Sequence, residues 1–340
     1  MRKLVSFMAF FAIAIVAVLA ANPIVGVGTV LAIAPLATQE QVFIRSLKEE
    51  YEEIGTWLNE ATDLSAYVVN GQVLKFPEGG ADPEVYKDRV TDIDSTEPVE
   101  SVHSEELCVY DTQNYKIRNI YLHALPFDKI QFYTKKSADA IKKAVARDAA
   151  YNLMPAEVLN NDKRIAISAT GKVDSNRKSL CLDDVKTLAK IADSKSFPKN
   201  GRVLVLPSDM WWTLVDSNDI LKAQIGYNQR VGIVAPDAVE YYGVKIHKSL
   251  GDEMGIRWDV SSNKKAAQDA ALTQSVAPSA LFFCSSEVYR ADGEFKMFWK
   301  AMGNNPEGRA EEFGFQHRQK TGHQFADQKY TGVIYLPYSA

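Results

Sequence analysis

The segment from Pro77 to Glu106 constrains this chain most. It is polar and acidic, broken by Pro77, Gly79, Gly80 and Pro83, and large apolar residues are only scattered through it. A stretch of this length cannot enclose a core of its own, because too little apolar surface offsets the entropy of ordering it. It therefore reads as an extended excursion away from the globular body. Just before it, AYVVNGQVLKFP places VV and VLKF on either side of Asn70-Gly71. Asn-Gly flanked by apolar runs is the strongest short hairpin signal, because both central residues of that turn take positive φ.

The rest of the chain is α+β in its periodicity. From 39 to 61, Phe43, Leu47, Tyr51, Ile54, Trp57, Leu58 and Ala61 recur at helical spacing, with Glu49, Glu50, Glu52 and Glu53 on the other face. That pattern predicts an amphipathic helix in need of a partner surface. Strand-like segments follow at 107–110, 116–122 and 129–133. A helix is predicted over 137–153 (SADAIKKAVARDAAYNL), capped by Ser137 and stopped before Pro155. Further on come a strand at 164–168, a helix at 182–192 and the strand RVLVL at 202–206. A helix over 209–215 begins after Pro207, capped by Ser208 or Asp209. Short strands are expected at 232–235, 242–247, 280–284 and 332–336, with polar stretches at 251–275 and 302–314.

At 340 residues, 46% hydrophobic and 24% charged, the chain suits one or two globular domains. A net charge of −4, without a basic run, gives no general reason to expect nucleic-acid binding. Cys108, Cys181 and Cys284 are odd in number and far apart, so they read as buried small residues. The N-terminus stands apart. After Arg2 and Lys3 no charge occurs until Glu40. By composition, 1–38 is a signal peptide or a membrane span. An apolar arm buried against other subunits is the alternative, and contact of 1–38 with a membrane stays open.

Motifs that carry chemistry are absent from the sequence. His103, His123, His247, His317 and His323 show no metal-ligand spacing, and His317 and His323 read as surface residues of a polar segment. There is no GxSxG elbow and no phosphate loop, and Gly226 to Gly232 lack a strand-turn-helix context. Asp183 and Asp184 sit where a helix begins and favour its dipole. The adjacent Trp211 and Trp212 point about 100° apart on a helix, so they cannot form one flat sugar platform. One is expected to face the core and the other an edge or a neighbouring subunit. No catalytic residue, cofactor or metal site is expected.

The order of parts resembles the major capsid protein of tailed bacteriophages, the Hong Kong phage 97-type capsid fold. The likeness rests on KNGRVLVLPSDMWWTLVDSNDI after the helix LDDVKTLAKIA, followed by GIVAPDAVEYYGVKIHKS. The N-terminal half agrees, with a helical arm, an extended loop and a long helix in succession. The resemblance implies an apolar N-terminal segment (1–38), a helical N-arm (39–62), an extended β-hairpin loop (63–120), and a peripheral domain (121–200) built on a spine helix (137–153). An axial domain (201–300) and a return to the peripheral domain (301–340) complete it. Segment 1–38 departs from the usual pattern, and the covalent Lys–Asn crosslink of some such shells has no match here.

What the resemblance implies is a non-enzymatic shell protein of the virion. It would associate with itself as hexamers and pentamers of an icosahedral capsid, a case of symmetric self-association. It would enclose DNA without reading its sequence, with scaffolding, portal and decoration proteins as further partners. Phe43, Tyr51, Trp57, Trp211 and Trp212 are the candidates for inter-subunit or packing contacts. Two alternatives are an encapsulin-type nanocompartment shell and, if 1–38 is a signal peptide, an exported or membrane-anchored binding protein of a bacterial envelope.

Overall fold

The computed structural model describes residues 44–45, 57–78, 85, 87–88, 101–118, 129–159, 163–217, 222–223, 238–249, 254–300, 310–324 and 327–339. Segment 1–38, Phe43, Tyr51 and the strand expected at 232–235 lie outside the described residues. A 3₁₀ turn at Trp57–Glu60 leads into the short strand β1 (Thr62–Asp63). After another such turn come β2 (Val68–Val69), β3 (Val73–Glu78) and β4 (Ser101–Glu106), which form a three-stranded antiparallel sheet. Next are β5 (Cys108–Asp111), β6 (Tyr115–Arg118) and the 25-residue helix α1 (Lys129–Leu153). Then follow β7 (Ile165–Ser168), the hairpin β8 (Val173–Asp174) and β9 (Arg177–Lys178), and helix α2 (Leu182–Ser194). β10 (Arg202–Leu206) and helix α3 (Ser208–Asp216) come next. The hairpin β11 (Ala238–Tyr241) and β12 (Val244–Lys248) precedes β13 (Arg257–Asp259), β14 (Lys264–Lys265) and β15 (Val276–Cys284). The long strands β16 (Val288–Lys300) and β17 (Ala310–His323), then β18 (Thr331–Tyr335), complete the description.

The unbroken apolar run VLVL at 203–206 is explained by burial on both faces. β10 lies inside an eight-stranded sheet ordered β11-β12-β10-β15-β13-β14, with β18 on β15 and β7 on β18. It runs parallel to β12 and antiparallel to β15. Val203 and Val205 point to one core, with Leu281 and Phe283 of β15 and Ile141, Val145 and Ala149 of α1. Leu204 and Leu206 point to the opposite core, with Phe282 of β15, Val185 and Leu188 of α2, and Trp211 and Leu214 of α3. A strand covered by helices on both sides has no solvent face, so polar alternation disappears.

A five-stranded sheet joins this body, with β17 paired to β16, β5 and β6, and β1 parallel to β16. The polar reading of 302–314 is corrected at its end, because β17 begins at Ala310. The inward positions of β17 are Phe313, Phe315, His317, Gln319 and Thr321, all buried. Three polar residues on the core face erase the period-two signal that would have shown a strand. His317 is therefore no surface residue. It is 0% exposed, its ring is stacked on Phe295 at 3.8 Å, and its Nε2 lies 3.4 Å from Asp292 Oδ1. His323 is half-buried against the end of α1, where its Nε2 sits 3.2 Å from the Asn152 carbonyl.

Other expectations change for local reasons. α1 starts at Lys129, so 129–133 is helix rather than strand, and Ser137 is an interior position rather than a cap. Tyr133 packs on Tyr115, ring centroids 4.6 Å apart, while Thr134, Ser137 and Ala138 are buried. That continues the helical stripe toward the N-terminus and overrides the β preference of IQFY. Pro207 occupies the N-cap of α3, and neither Ser208 nor Asp209 makes a side-chain cap bond there. The arm ends in a 3₁₀ turn, with Ala61 N–H donating to Leu58 O at 3.1 Å, as the chain bends into β1. Among the cysteines Cys284 is buried, but Cys181 is half-buried and Cys108 exposed.

Candidate subunit-contact surface

The hairpin signal at Asn70-Gly71 builds the first part of this surface. Both residues take positive φ, 53° and 64°, and Val69 pairs with Val73 across the turn. β3 then pairs with β4 over its whole length, from Val73 opposite Glu106 to Glu78 opposite Ser101. Side chains alternate between the faces of this sheet. The inner face docks on β16 through Leu74 and Phe76, which pack with Leu107, Tyr289 and Ala291. The Tyr289 hydroxyl donates to Glu105 Oε2 at 2.8 Å, and Lys320 Nζ lies 3.4 Å from the same oxygen. Burial, reinforced by the neighbouring carboxylate, raises the Tyr289 pKa and keeps the hydroxyl a donor.

Gly293 lets the hairpin turn approach β16. A Cβ there would lie 2.7 Å from Leu107 Cδ1 and 2.9 Å from the Gly71 carbonyl oxygen. Gly293→Ala is expected to cost about 1–3 kcal/mol through overpacking. Urea unfolding combined with faster amide exchange in β3 would show it, and an unchanged midpoint would contradict the close approach.

The outer face carries Val69, Val73 and Val102. Val69 is 45% and Val102 68% exposed. On this face of the three-stranded sheet the valines are interspersed with the exposed Lys75, Ser104 and Glu106.

The aromatic candidates do not converge. Trp57 is buried on the α1 side of the large sheet, 6.0 Å from the Phe283 ring. Trp211 belongs to the core on the opposite side and is 6% exposed. Trp212 is 53% exposed, with Lys248 Nζ 4.7 Å from its ring centroid. The two indoles thus serve different surfaces, and no platform forms. Near Trp57, Glu60 pairs with Lys245 and lies 3.4 Å from His247 Nε2, which ties the end of the arm to β12.

Asp184 is occupied structurally. It accepts from the Cys181 N–H at 2.9 Å and the Thr170 hydroxyl at 2.6 Å, closing a cap on α2. Among the described residues no group of His, Cys, Asp and Glu could hold a metal ion, and no helix is long and apolar enough to cross a membrane. Sequence reasoning missed the Tyr289–Glu105–Lys320 contact. Only the pairing of β3 with β4 brings Glu105 under the ring, across a sequence separation of 184.

No protein-family model matches the sequence, and no curated protein matches it either. Solved structures match in fold. The capsid of Ralstonia phage GP4 aligns with 84% of this chain and 89% of its own, at a TM-score of 0.54 and 12% identity. The capsid structure of the cyanophage P-SCSP1u aligns with 83% and 86%, at 0.53 and 14% identity. The head structure of the Helicobacter pylori bacteriophage KHP40 aligns with 84% and 92%, at 0.52 and 10% identity. The chain therefore has the mixed α/β fold of tailed-phage capsid proteins.

Proposed function

We propose that this chain is a structural major capsid protein, whose copies assemble into the icosahedral shell around a phage genome and reside in the virion. The observation that supports this most is the breadth of the fold likeness, which spans more than four fifths of the chain. The outer face of the β3–β4 hairpin adds a physical reason. Its exposed valines gain burial only against another molecule, and in a closed shell every copy supplies that surface to a neighbour. Under this reading the chain is not an enzyme, and its function lies in its contacts. The division into peripheral (121–200) and axial (201–300) domains, and the roles of scaffolding, portal and decoration proteins, belong to the same reading.

Electron microscopy of the purified protein, with any scaffold it requires, tests the proposal. Closed particles are the expected result. Only monomers or amorphous material would overturn it, and particles filled with a protein cargo would favour the nanocompartment alternative. A second test targets the hairpin. Val69→Asp with Val102→Asp is expected to change the stability of the unassembled chain by less than about 1 kcal/mol, since both sites are exposed. The same pair is expected to abolish closed particles, because it would bury unpaired charge at the contact. Normal particles from the double variant would remove the hairpin from the interface.

A further inference from the structure

The β2–β3–β4 sheet is held differently from the rest of the chain. The large sheet and its helices share two extensive cores. Among the described residues, no buried apolar side chain between Thr62 and Leu107 belongs to either of them. Leu74, Phe76 and Leu107 instead form a third, small cluster with Tyr289 and Ala291 of β16. The sheet is rooted at both ends. Before it, the Leu64 N–H donates to the Arg290 carbonyl at 2.8 Å, and the Asp292 N–H donates to Ser65 Oγ at 2.9 Å. After it, β5 pairs with β17. Local opening follows the regions that bury the fewest apolar contacts, and a sheet rooted at its ends and docked by one small cluster is such a region.

Tyr289 joins the two parts. It is fully buried on the hairpin side of β16, and its ring lies across Gly322, its direct partner on β17. A Cβ at 322 would come 2.8 Å from the hydroxyl oxygen, so the glycine leaves the ring its slot. Phe76 of β3 covers the ring, centroids 5.3 Å apart. The hydroxyl donates to Glu105 of β4, and Lys320 of β17 faces the same carboxylate. A hydrogen bond to a carboxylate is stronger than one between neutral groups. This one exists only in the docked state, because Glu105 travels with the hairpin while Tyr289 and Lys320 stay with the body. We propose that β2, β3 and β4 form a strap that lifts from β16 as one unit while both large cores stay closed, and that the Tyr289 hydroxyl on Glu105 is its latch. Opening bares Leu74, Phe76 and Ala291 and lets the projection change its angle to the body. This conformational device does not depend on the capsid reading.

The test uses the full, unassembled chain and a small thiol reagent under native conditions, with the labelled sites read by peptide mass. Ala291→Cys in a Cys108→Ser background reports on the docking cluster, and the natural Cys284, buried in the second core, reports on the body. The thiol of Ala291→Cys is expected to react at least about 10-fold faster than Cys284, because local opening costs less than global unfolding. Adding Tyr289→Phe should speed labelling at 291 by about 10-fold or more, the scale of a hydrogen bond to a charged group. Ile334→Val, a mild truncation in the second core, should speed Cys284 by about 2–10-fold and leave 291 unchanged. Leu74→Cys, on the strap's own side of the cluster, should follow the rate at 291, which guards against a local disturbance by either new thiol. Equal rates at 291 and Cys284, or equal acceleration of both by Ile334→Val, would mean that the strap opens only with the whole chain and would overturn the proposal. Tyr289→Phe with an unchanged rate at 291 would remove the latch and overturn it as well.

Discussion

Trp211→Ala is expected to lower the unfolding free energy of the unassembled chain by about 3–5 kcal/mol, the usual cost of truncating a buried aromatic. The reason lies in its surroundings. Its indole belongs to the core between α3 and the large sheet, with Leu204, Leu206 and Phe282. α3 is only nine residues long, and its N-cap makes no side-chain bond, so tertiary packing must hold it. Trp212→Ala, one residue along, should cost less than about 1 kcal/mol, the scale of one exposed cation–π contact with Lys248. Urea unfolding of both variants decides the matter. Equal losses would mean that the two rings do not divide between core and surface. Under the capsid reading Trp212→Ala would instead lower particle yield, and an unaltered yield would leave Trp212 with no contact to make.

Acid should weaken the chain through His323. Burial pushes its pKa down to about 4 from the ordinary 6.5. The Asn152 carbonyl pulls the other way, and the cations Lys265 and Arg164 add to the depression. Lys265 itself sits against the same helix end, its Nζ donating to the Tyr151 carbonyl at 3.2 Å. Between pH 6.5 and about 4 the unfolded chain binds a proton that the folded chain refuses. The stabilisation is therefore complete above pH 6.5 and is lost as the pH falls to about 4. A full shift of this size corresponds to about 3 kcal/mol, and solvent access at a half-buried ring trims it to about 2–3 kcal/mol.

Other groups titrate around that window. Asp63 and Asp259, held below the ordinary carboxylate value, lose their contribution at more acid pH. Glu287, raised by burial, works in the opposite sense near its ordinary 4.5. His323→Gln isolates the ring, because its amide can still donate to the Asn152 carbonyl. Its stability should change less between pH 7 and pH 4.5 than the parent's, and parallel curves would show that His323 does not carry the effect.

Much of the architecture was legible in local signals. Asn70-Gly71 could only be a turn, and RVLVL after a glycine and before a proline could only be a short buried strand. At the two ends of 77–106, β3 and β4 pair and dock on β16 through Leu74 and Phe76, and the stretch between them lies mostly outside the described residues. What misled local reading was the environment of individual side chains. IQFY became the first turn of α1 because Tyr115 lies beneath it. His317 and Gln319 became core residues because β16 and β5 flank β17 on both sides.

The sequence by itself determined which segments could be buried at all, since hydrophobic period and turn chemistry are properties of neighbouring residues. The tertiary structure alone decided which tryptophan is core and which is surface. It also decided that a polar strand could lie inside the protein. Each of these depends on what a side chain faces across the fold, and partners distant in sequence, such as β5 beside β17, leave no mark in the local sequence.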